Sequence, residues 1–238
     1  SAYYYHAAKL VAKYKPEYAS IAKEIGEAVN RKYYRGGGIY ADGQRTAMAC
    51  ALYFGFAEEP ELTAKALAEA VRRKNHLGGF GILGSKYIFR ALADYGYQED
   101  AFKLLTAVDR PSFGYWVKAL GATTLHERWS SDASLNHIMF GDFAAWLHQY
   151  LAGIVPRSET PGFRHFIIRP CFVKALDFVK ADHTAPSGTI GVQWERKNRM
   201  LRFVCTIPAG CTADIQLSER IFEKKTGRFE CEIPDSVQ

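Results

Sequence analysis

The sequence has 238 residues, of which 48% are hydrophobic and 24% charged, a globular composition that excludes global disorder. The net charge is +6, but the Lys and Arg residues are spread along the chain, so no nucleic-acid-binding stripe is indicated. No apolar run approaches the roughly 18 residues of a membrane helix, and no signal peptide is visible, which leaves the cellular compartment open. The five cysteines include no CxxC pair, so neither a metal nor a cofactor is predicted.

The first part of the chain, residues 1–155, has helical periodicity almost throughout. AYYYHAAKLVAKY opens the series, Pro16 and Pro60 precede two further helices, and FGDFAAWLHQYLAGI closes it before Gly153. Short Gly- or Pro-containing loops separate these segments, which predicts antiparallel αα-hairpins. The helical start at Ser1, without any lead-in, suggests a piece of a longer protein.

The pattern changes after Ile154. Residues 156–164 are rich in Pro and Gly and are predicted to form a linker. In residues 165–238, β-branched and aromatic residues alternate with polar ones in six short segments separated by turn signals, which predicts a small antiparallel β-sandwich. Trp194 in this domain is interpreted as a packed core residue rather than a sugar-binding platform.

The stretch GATTLHERW contains the first candidate site. Its small residues allow close backbone approach, and Glu127 stands two residues before Trp129. A carboxylate can transfer protons while an indole face stacks on a sugar, so the pair is a candidate carbohydrate site. Alternatively, Glu127 lies in a surface loop in an ion pair with Arg128.

Two further polar groups are weaker candidates. Asn136 and His137 can exchange hydrogen bonds with sugar hydroxyls, although Asn136 alternatively caps the next helix. Asp42 and Gln44 follow a glycine run at a helix start, where Asp42 caps the helix or faces the same cleft. The loop GGFGILG lacks the spacing of a phosphate-binding motif and is interpreted as an open or strained loop.

Several stretches together resemble one known family. GATTLHERW, SLNHIMFGDFAAWLHQYLAGIVP, PGFRHFIIRP and GGFGILGSKYIFRALADYGYQEDAFKLL resemble, in order and spacing, the C-terminal half of the α-L-rhamnosidases of glycoside hydrolase family 78. The resemblance implies a partial (α/α)6 toroid followed by the β-sandwich, and inverting hydrolysis of terminal α-L-rhamnose from glycosides or polysaccharides. It makes Glu127 the general base and His137 a ligand of rhamnose hydroxyls, with Trp129 shaping the pocket; Asn136, Asp42 and Gln44 are weaker substrate-binding candidates.

The chain departs from this family in two respects. WSSDASLNH is shorter than the usual insertion, and the segment that carries the family's general acid in the first half of the barrel has no counterpart. We therefore expect a C-terminal fragment that hydrolyses little by itself and self-associates through exposed barrel faces. Two alternatives stay open: a non-catalytic carbohydrate-binding or interaction module, and a six-hairpin glycosidase acting on another sugar.

Overall fold

A computed structural model describes residues 1–235. The chain divides into two compact units, one ending at Phe143 and the other starting at Ala144. The predicted boundaries at residues 155/156 and 164/165 stay predictions, and residues 236–238 of the predicted β domain lie outside the described residues. Within the described residues, every helix is too short or too polar to cross a membrane.

The first unit is built from α-helices joined by short loops. Their bounds are α1 Ala2–Val11, α2 Tyr18–Tyr33, α3 Arg45–Phe54, α4 Pro60–Arg73, α5 Ile82–Asp94, α6 Gln98–Thr106 and α7 Phe113–Lys118. Each odd-numbered helix from α1 to α5 packs against the even-numbered helix that follows it, and α3 also packs against α1 and α5. This alternation of inner and outer helices is that of a partial (α/α)6 toroid, so the predicted fold class is confirmed.

The helix sequences explain these positions. In α4, which begins with Pro60 in its first turn, Ala64, Leu67 and Val71 recur at helical spacing and are buried on one face. The inner helix α3 has no such polar face over its middle and buries most of its Ala, Met and Leu residues. It ends at Gly55, whose φ of 75° suits a residue without a Cβ atom.

The second unit begins with the end of a helix and continues as a sandwich of two sheets. A short helix, α8 (Phe143–Trp146), continues as a π-helical turn over Leu147–Leu151, where the sequence predicted one regular helix. The strands are β1 Ile154–Val155, β2 His165–Ile168, β3 Phe178–Ala185, β4 Gly188–Lys197, β5 Met200–Ile207, β6 Thr212–Leu217, β7 Arg220–Lys225 and β8 Gly227–Pro234.

The strands form two four-stranded sheets, in the orders β1-β2-β6-β7 and β3-β4-β5-β8. All neighbouring pairs are antiparallel except β2 and β6, which are parallel. Side chains of alternate residues, such as Phe203 in β5 and Ile215 in β6, are buried in one core. Trp194 is fully buried there and donates its indole N–H to the Leu151 carbonyl at 3.0 Å, which agrees with the interpretation as a packed residue.

Candidate active site

The candidate site lies in the irregular segment that follows α7. Within it the chain folds back on itself through two backbone hydrogen bonds, from the His137 N–H to the Leu125 carbonyl at 2.7 Å and from the Glu127 N–H to the Ser134 carbonyl at 2.8 Å. These bonds bring together Glu127 and His137, which are ten positions apart in the sequence.

The Glu127 carboxylate is accessible and has few partners. Its Oε2 accepts a hydrogen bond from the Ser134 N–H at 3.3 Å and lies 4.0 Å from Nδ1 of His137. The side chains of Glu127 and His137 are 37% and 30% exposed. A partly exposed carboxylate of this kind can accept a proton from a bound molecule.

The residues on either side of Glu127 have other contacts. Arg128 points its guanidinium to Asp132 at 4.0 Å, so the alternative of an Arg128–Glu127 ion pair is not what the structure contains. His126 is buried, with Nδ1 2.8 Å from the Ser131 hydroxyl and its ring 5.0 Å from that of Trp116. His126 therefore fixes the loop, while Glu127 stays accessible.

Trp129 connects the Glu127 segment to the rest of the helical unit. Its ring stacks on Trp116 with centroids 4.6 Å apart, and its Nε1–H donates to the Phe80 carbonyl at 2.6 Å. Phe113 and Phe140 also pack against it, with ring centroids 5.1 Å and 4.6 Å from that of Trp129. Because these contacts fix the indole in a half-buried position, Trp129 forms a rigid wall beside Glu127.

The glycine-rich loop before α5 is shaped by this tryptophan. The Gly78 N–H donates to the Pro111 carbonyl at 2.7 Å, and a Cβ at Gly78 would come within 2.9 Å of Trp129 and of that carbonyl. Gly79 has a φ of 78°. Arg45 donates to the carbonyls of Leu77 and Gly78, which ties the start of α3 to the loop before α5. The glycines thus serve close packing rather than phosphate binding.

A concavity of about 660 Å³ opens beside Glu127 and Trp129. The other residues that line it are Gly81, Ile82, Arg110, Pro111, Arg128, Ser130, Met139 and Phe140. Sequence reasoning did not single out Arg110, Pro111 or Met139, because they come from separate loops. Their closeness to Glu127 depends on how those loops converge at one end of the helices.

The remaining predicted site residues lie in different places. His137 contacts Glu127 without lining the concavity, and Asn136 is exposed and hydrogen-bonded to Ser134 through its backbone. Asn136 is not a helix cap, because His137 holds that position before the 3-10 turn Ile138–Phe140.

Asp42 is 86% exposed, 3.7 Å from Arg35, while Gln44 lines a second concavity. Neither Asp42 nor Gln44 is therefore brought to Glu127. Across residues 1–235, no cluster of three His, Cys, Asp or Glu residues is suited to a metal ion.

Comparison with known proteins identifies the family. The family model of the bacterial alpha-L-rhamnosidase 6 hairpin glycosidase domain matches residues 1–151, and that of the bacterial alpha-L-rhamnosidase C-terminal domain matches residues 153–230. The chain belongs to the bacterial α-L-rhamnosidase family. The resemblance noted in the sequence is thereby confirmed.

Individual rhamnosidases align with most of the chain. An α-L-rhamnosidase of Formosa agariphila is 28% identical, over 91% of this chain and 26% of its own length. The crystal structure of a Streptomyces avermitilis α-L-rhamnosidase complexed with L-rhamnose has a TM-score of 0.89 and 22% identity, and covers 98% of this chain and 26% of its own. The crystal structure of Aspergillus terreus α-L-rhamnosidase has a TM-score of 0.90 and 23% identity. The match covers 100% of this chain and 30% of the Aspergillus terreus chain. The two structures share the fold, and the chain spans about a quarter of the length of these rhamnosidases.

Proposed function

We propose that this chain contributes part of the active site of an inverting α-L-rhamnosidase, with Glu127 as the general base. The observation that carries the proposal is the position of the Glu127 carboxylate, half-exposed in a concavity of about 660 Å³ beside Trp129. Membership of the rhamnosidase family supports α-L-rhamnose as the sugar bound there. The substrate class is then a glycoside or polysaccharide with a terminal α-L-rhamnose.

The chemistry assigned to Glu127 is proton transfer from water. As the water oxygen attacks the anomeric carbon from the face opposite the aglycone, Glu127 takes one of its protons, and the anomeric configuration inverts. The bond from the anomeric carbon to the aglycone oxygen breaks at the same time, and that oxygen needs a proton from an acid. Ser134, whose N–H donates to Oε2 at 3.3 Å, supports the orientation of the base.

The general acid is proposed to lie outside these 238 residues. Glu127 is the carboxylic acid among the described residues that line the concavity, and inverting glycosidases place the two carboxyl groups roughly 6.5–9.5 Å apart. The rhamnosidases that align with this chain are about four times as long, so they contain further segments that can supply such a group.

Most of the other predicted residues are proposed to bind the substrate, some more directly than others. Trp129 forms the apolar wall on which a sugar face stacks, and His137, 4.0 Å from Glu127, binds a rhamnose hydroxyl. Asn136 is exposed nearby and stays a weaker candidate. Gln44, which lines a second concavity, is a candidate for contact with a more distant part of the substrate, whereas Asp42 is 86% exposed near Arg35 and receives no such support. Self-association through apolar residues exposed on the helical unit, such as Tyr14 and Ile138, also stays a proposal.

An activated substrate tests the proposal without the missing acid. The leaving group of 2,4-dinitrophenyl α-L-rhamnoside departs without protonation, so the chain should cleave it far better than an alkyl rhamnoside, whose leaving group needs an acid. Extension by whatever the reading frame encodes before Ser1 should restore cleavage of the alkyl rhamnoside if the acid lies there. Equal cleavage of both rhamnosides by the short chain would place an acid within it and contradict this part of the proposal.

Replacement of Glu127 separates catalysis from binding. Glu127→Gln should abolish hydrolysis of the dinitrophenyl rhamnoside while the affinity for L-rhamnose is kept, because the amide preserves shape but cannot take a proton. Glu24→Gln is the matched control, since Glu24 is an exposed glutamate of α2 that lines neither concavity. A non-catalytic sugar-binding module would bind rhamnose without hydrolysis in either form, and a glycosidase of other specificity would prefer another aryl glycoside.

A further inference from the structure

A second concavity, of about 450 Å³, adjoins the one that contains Glu127. Gly81 lines both. The second concavity is formed by the start of α3, the end of α4 and the glycine-rich loop before α5. All of these elements belong to the helical unit, and apart from Gln44 and Gly81 the proposed function gives none of the residues that line this concavity a role.

The charge of this second concavity is entirely positive. Arg45, Arg73 and Lys74 line it, and none of its described lining residues is acidic. The Glu127 concavity, in contrast, contains both Glu127 and arginines. A concave surface lined by one sign of charge concentrates ligands of the opposite charge.

Arg45 is hydrogen-bonded to neutral groups rather than paired with an acid. Its guanidinium donates to the Leu77 carbonyl at 2.7 Å and to the Gly78 carbonyl, and no ion pair to it occurs among the described residues. Its partial burial lowers its pKa, which reflects the cost of keeping a charge there with neutral partners. An anion in the concavity would reduce that cost.

The other two cations are accessible. Arg73 has an ion pair with Glu69 at 3.9 Å in which both side chains are well exposed, so the pair is weak and easily exchanged. Lys74 is exposed, and Gln44 and Thr46 add polar groups suited to sugar hydroxyls.

We infer that this basic concavity binds an anionic sugar, bearing a carboxylate or a sulfate, that is linked to the rhamnose held beside Glu127. The inference rests on the proposed function and adds the class of the leaving sugar. Since the two concavities meet at Gly81, a disaccharide with its rhamnose against Trp129 extends its second unit toward Arg45, Arg73 and Lys74. The substrate is then an acidic glycan rather than a neutral glycoside.

Three disaccharides of the same linkage test the inference: α-L-rhamnosyl-glucuronate, α-L-rhamnosyl-glucose 6-sulfate and α-L-rhamnosyl-glucose. Their dissociation constants are measured by calorimetry with the chain, including any residues its reading frame encodes before Ser1. We expect at least one anionic disaccharide to bind about tenfold more tightly than the neutral one, because each exposed ion pair contributes up to a factor of about five. This preference should shrink as salt rises from about 0.05 to 0.5 M.

A matched pair of double variants assigns the preference to the concavity. Arg73→Gln with Lys74→Gln should remove most of this preference, because it should weaken binding of the anionic disaccharide more than that of the neutral one. Arg31→Gln with Lys32→Gln is the control, because it removes the same charges from the last turn of α2, including an i,i+4 pair with Glu27 at 3.6 Å. An equal effect of both double variants would mean that net charge, not the concavity, sets the preference.

The outcomes distinguish this inference from the proposed function. Equal binding of the three disaccharides would overturn the inference and leave the rhamnosidase proposal standing. Binding of none of them, and of no L-rhamnose, would overturn both. Comparison of the uronate with the sulfate ester identifies which anion the concavity prefers.

Discussion

Nδ1 of His137 lies 4.0 Å from Oε2 of Glu127, and two backbone hydrogen bonds within the same irregular segment bring the two residues together. The imidazole and the carboxylate are both partly exposed, so a hydroxylated ligand can contact both side chains at once. The Glu127–His137 pair is therefore part of the proposed rhamnose site.

The first prediction concerns the role of His137 in sugar binding. His137→Ala should raise the dissociation constant for L-rhamnose about tenfold, the effect of one lost hydrogen bond to a ligand. Asn136→Ala should change it less, because Asn136 is exposed and its described hydrogen bonds use its backbone. Titration of both variants with L-rhamnose, followed by NMR, measures the two dissociation constants. A larger effect of Asn136→Ala than of His137→Ala would contradict the assignment of His137.

The second prediction concerns the packing of Trp129 on the glycine loop. Gly78→Ala should destabilise the protein by about 1–3 kcal/mol, because the added Cβ would lie 2.9 Å from the Pro111 carbonyl and from the indole. Gly81→Ala is the control from the same loop. Its φ is −82° and a Cβ there would meet nothing within 4 Å. Because Gly81 is the N-cap of α5, where Ala is less favourable than Gly, the change should still cost up to about 1 kcal/mol, less than Gly78→Ala.

Urea unfolding followed by tryptophan fluorescence measures both glycine variants. The emission of Gly78→Ala should also change in the native state, because Trp129 must shift relative to Trp116, on which it stacks. Equal stability of the two variants would mean that the loop adapts freely and does not hold the tryptophan.

The third prediction concerns an acid-sensitive contact between α4 and α6. Asp100 on α6 has a side chain that is 7% exposed, and it accepts hydrogen bonds from Nη2 of Arg72 at 2.7 Å and contacts Nε2 of His76 at 2.8 Å. Although burial raises the pKa of Asp100, the bonds from Arg72 and His76 outweigh it and lower the pKa below its ordinary value. The stabilisation is therefore present above about pH 4 and is lost as the pH falls through the lower folded-state pKa.

Asp100→Asn tests this pH dependence. It should lower the free energy of unfolding by about 1–3 kcal/mol at pH 7, and the difference from the unsubstituted protein should shrink toward pH 2. Asp42→Asn is the control, since Asp42 is 86% exposed and should contribute within about 0.5 kcal/mol. A constant difference from pH 7 to pH 2 would show that the Asp100 contact does not titrate as described.

Much of the fold could be predicted from local sequence pattern. The spacing of Ala64, Leu67 and Val71 and the leading Pro60 mark α4, and alternating residues mark β3 to β6. The strand β7 was missed because Arg220–Lys225 is an edge strand exposed along most of its length, so it lacks the alternation of a half-buried strand. The parallel pairing of β2 with β6 was missed because the partners of a strand depend on chain topology rather than on its own residues.

The candidate site could be predicted only in part, because some of its contacts also depend on chain topology rather than on local sequence. Glu127 and Trp129 lie in one short motif, so composition and family resemblance pointed to them together. Arg110 and Met139 reach the same concavity from loops before and after that motif, and no local pattern links them to it. The positive charge around Arg45 was likewise hidden, because its neighbours Arg73 and Lys74 belong to a different helix end.

Chemical rescue tests the role of Glu127 most directly. Glu127→Ala should not hydrolyse 2,4-dinitrophenyl α-L-rhamnoside, because no group then takes the proton of the attacking water, but added azide, which needs no base, should restore turnover. The account predicts that the product, identified by NMR, is β-L-rhamnosyl azide. Hydrolysis at the unsubstituted rate by Glu127→Ala, or no rhamnosyl azide from a variant that still binds the substrate, would contradict the assignment of Glu127 as the general base.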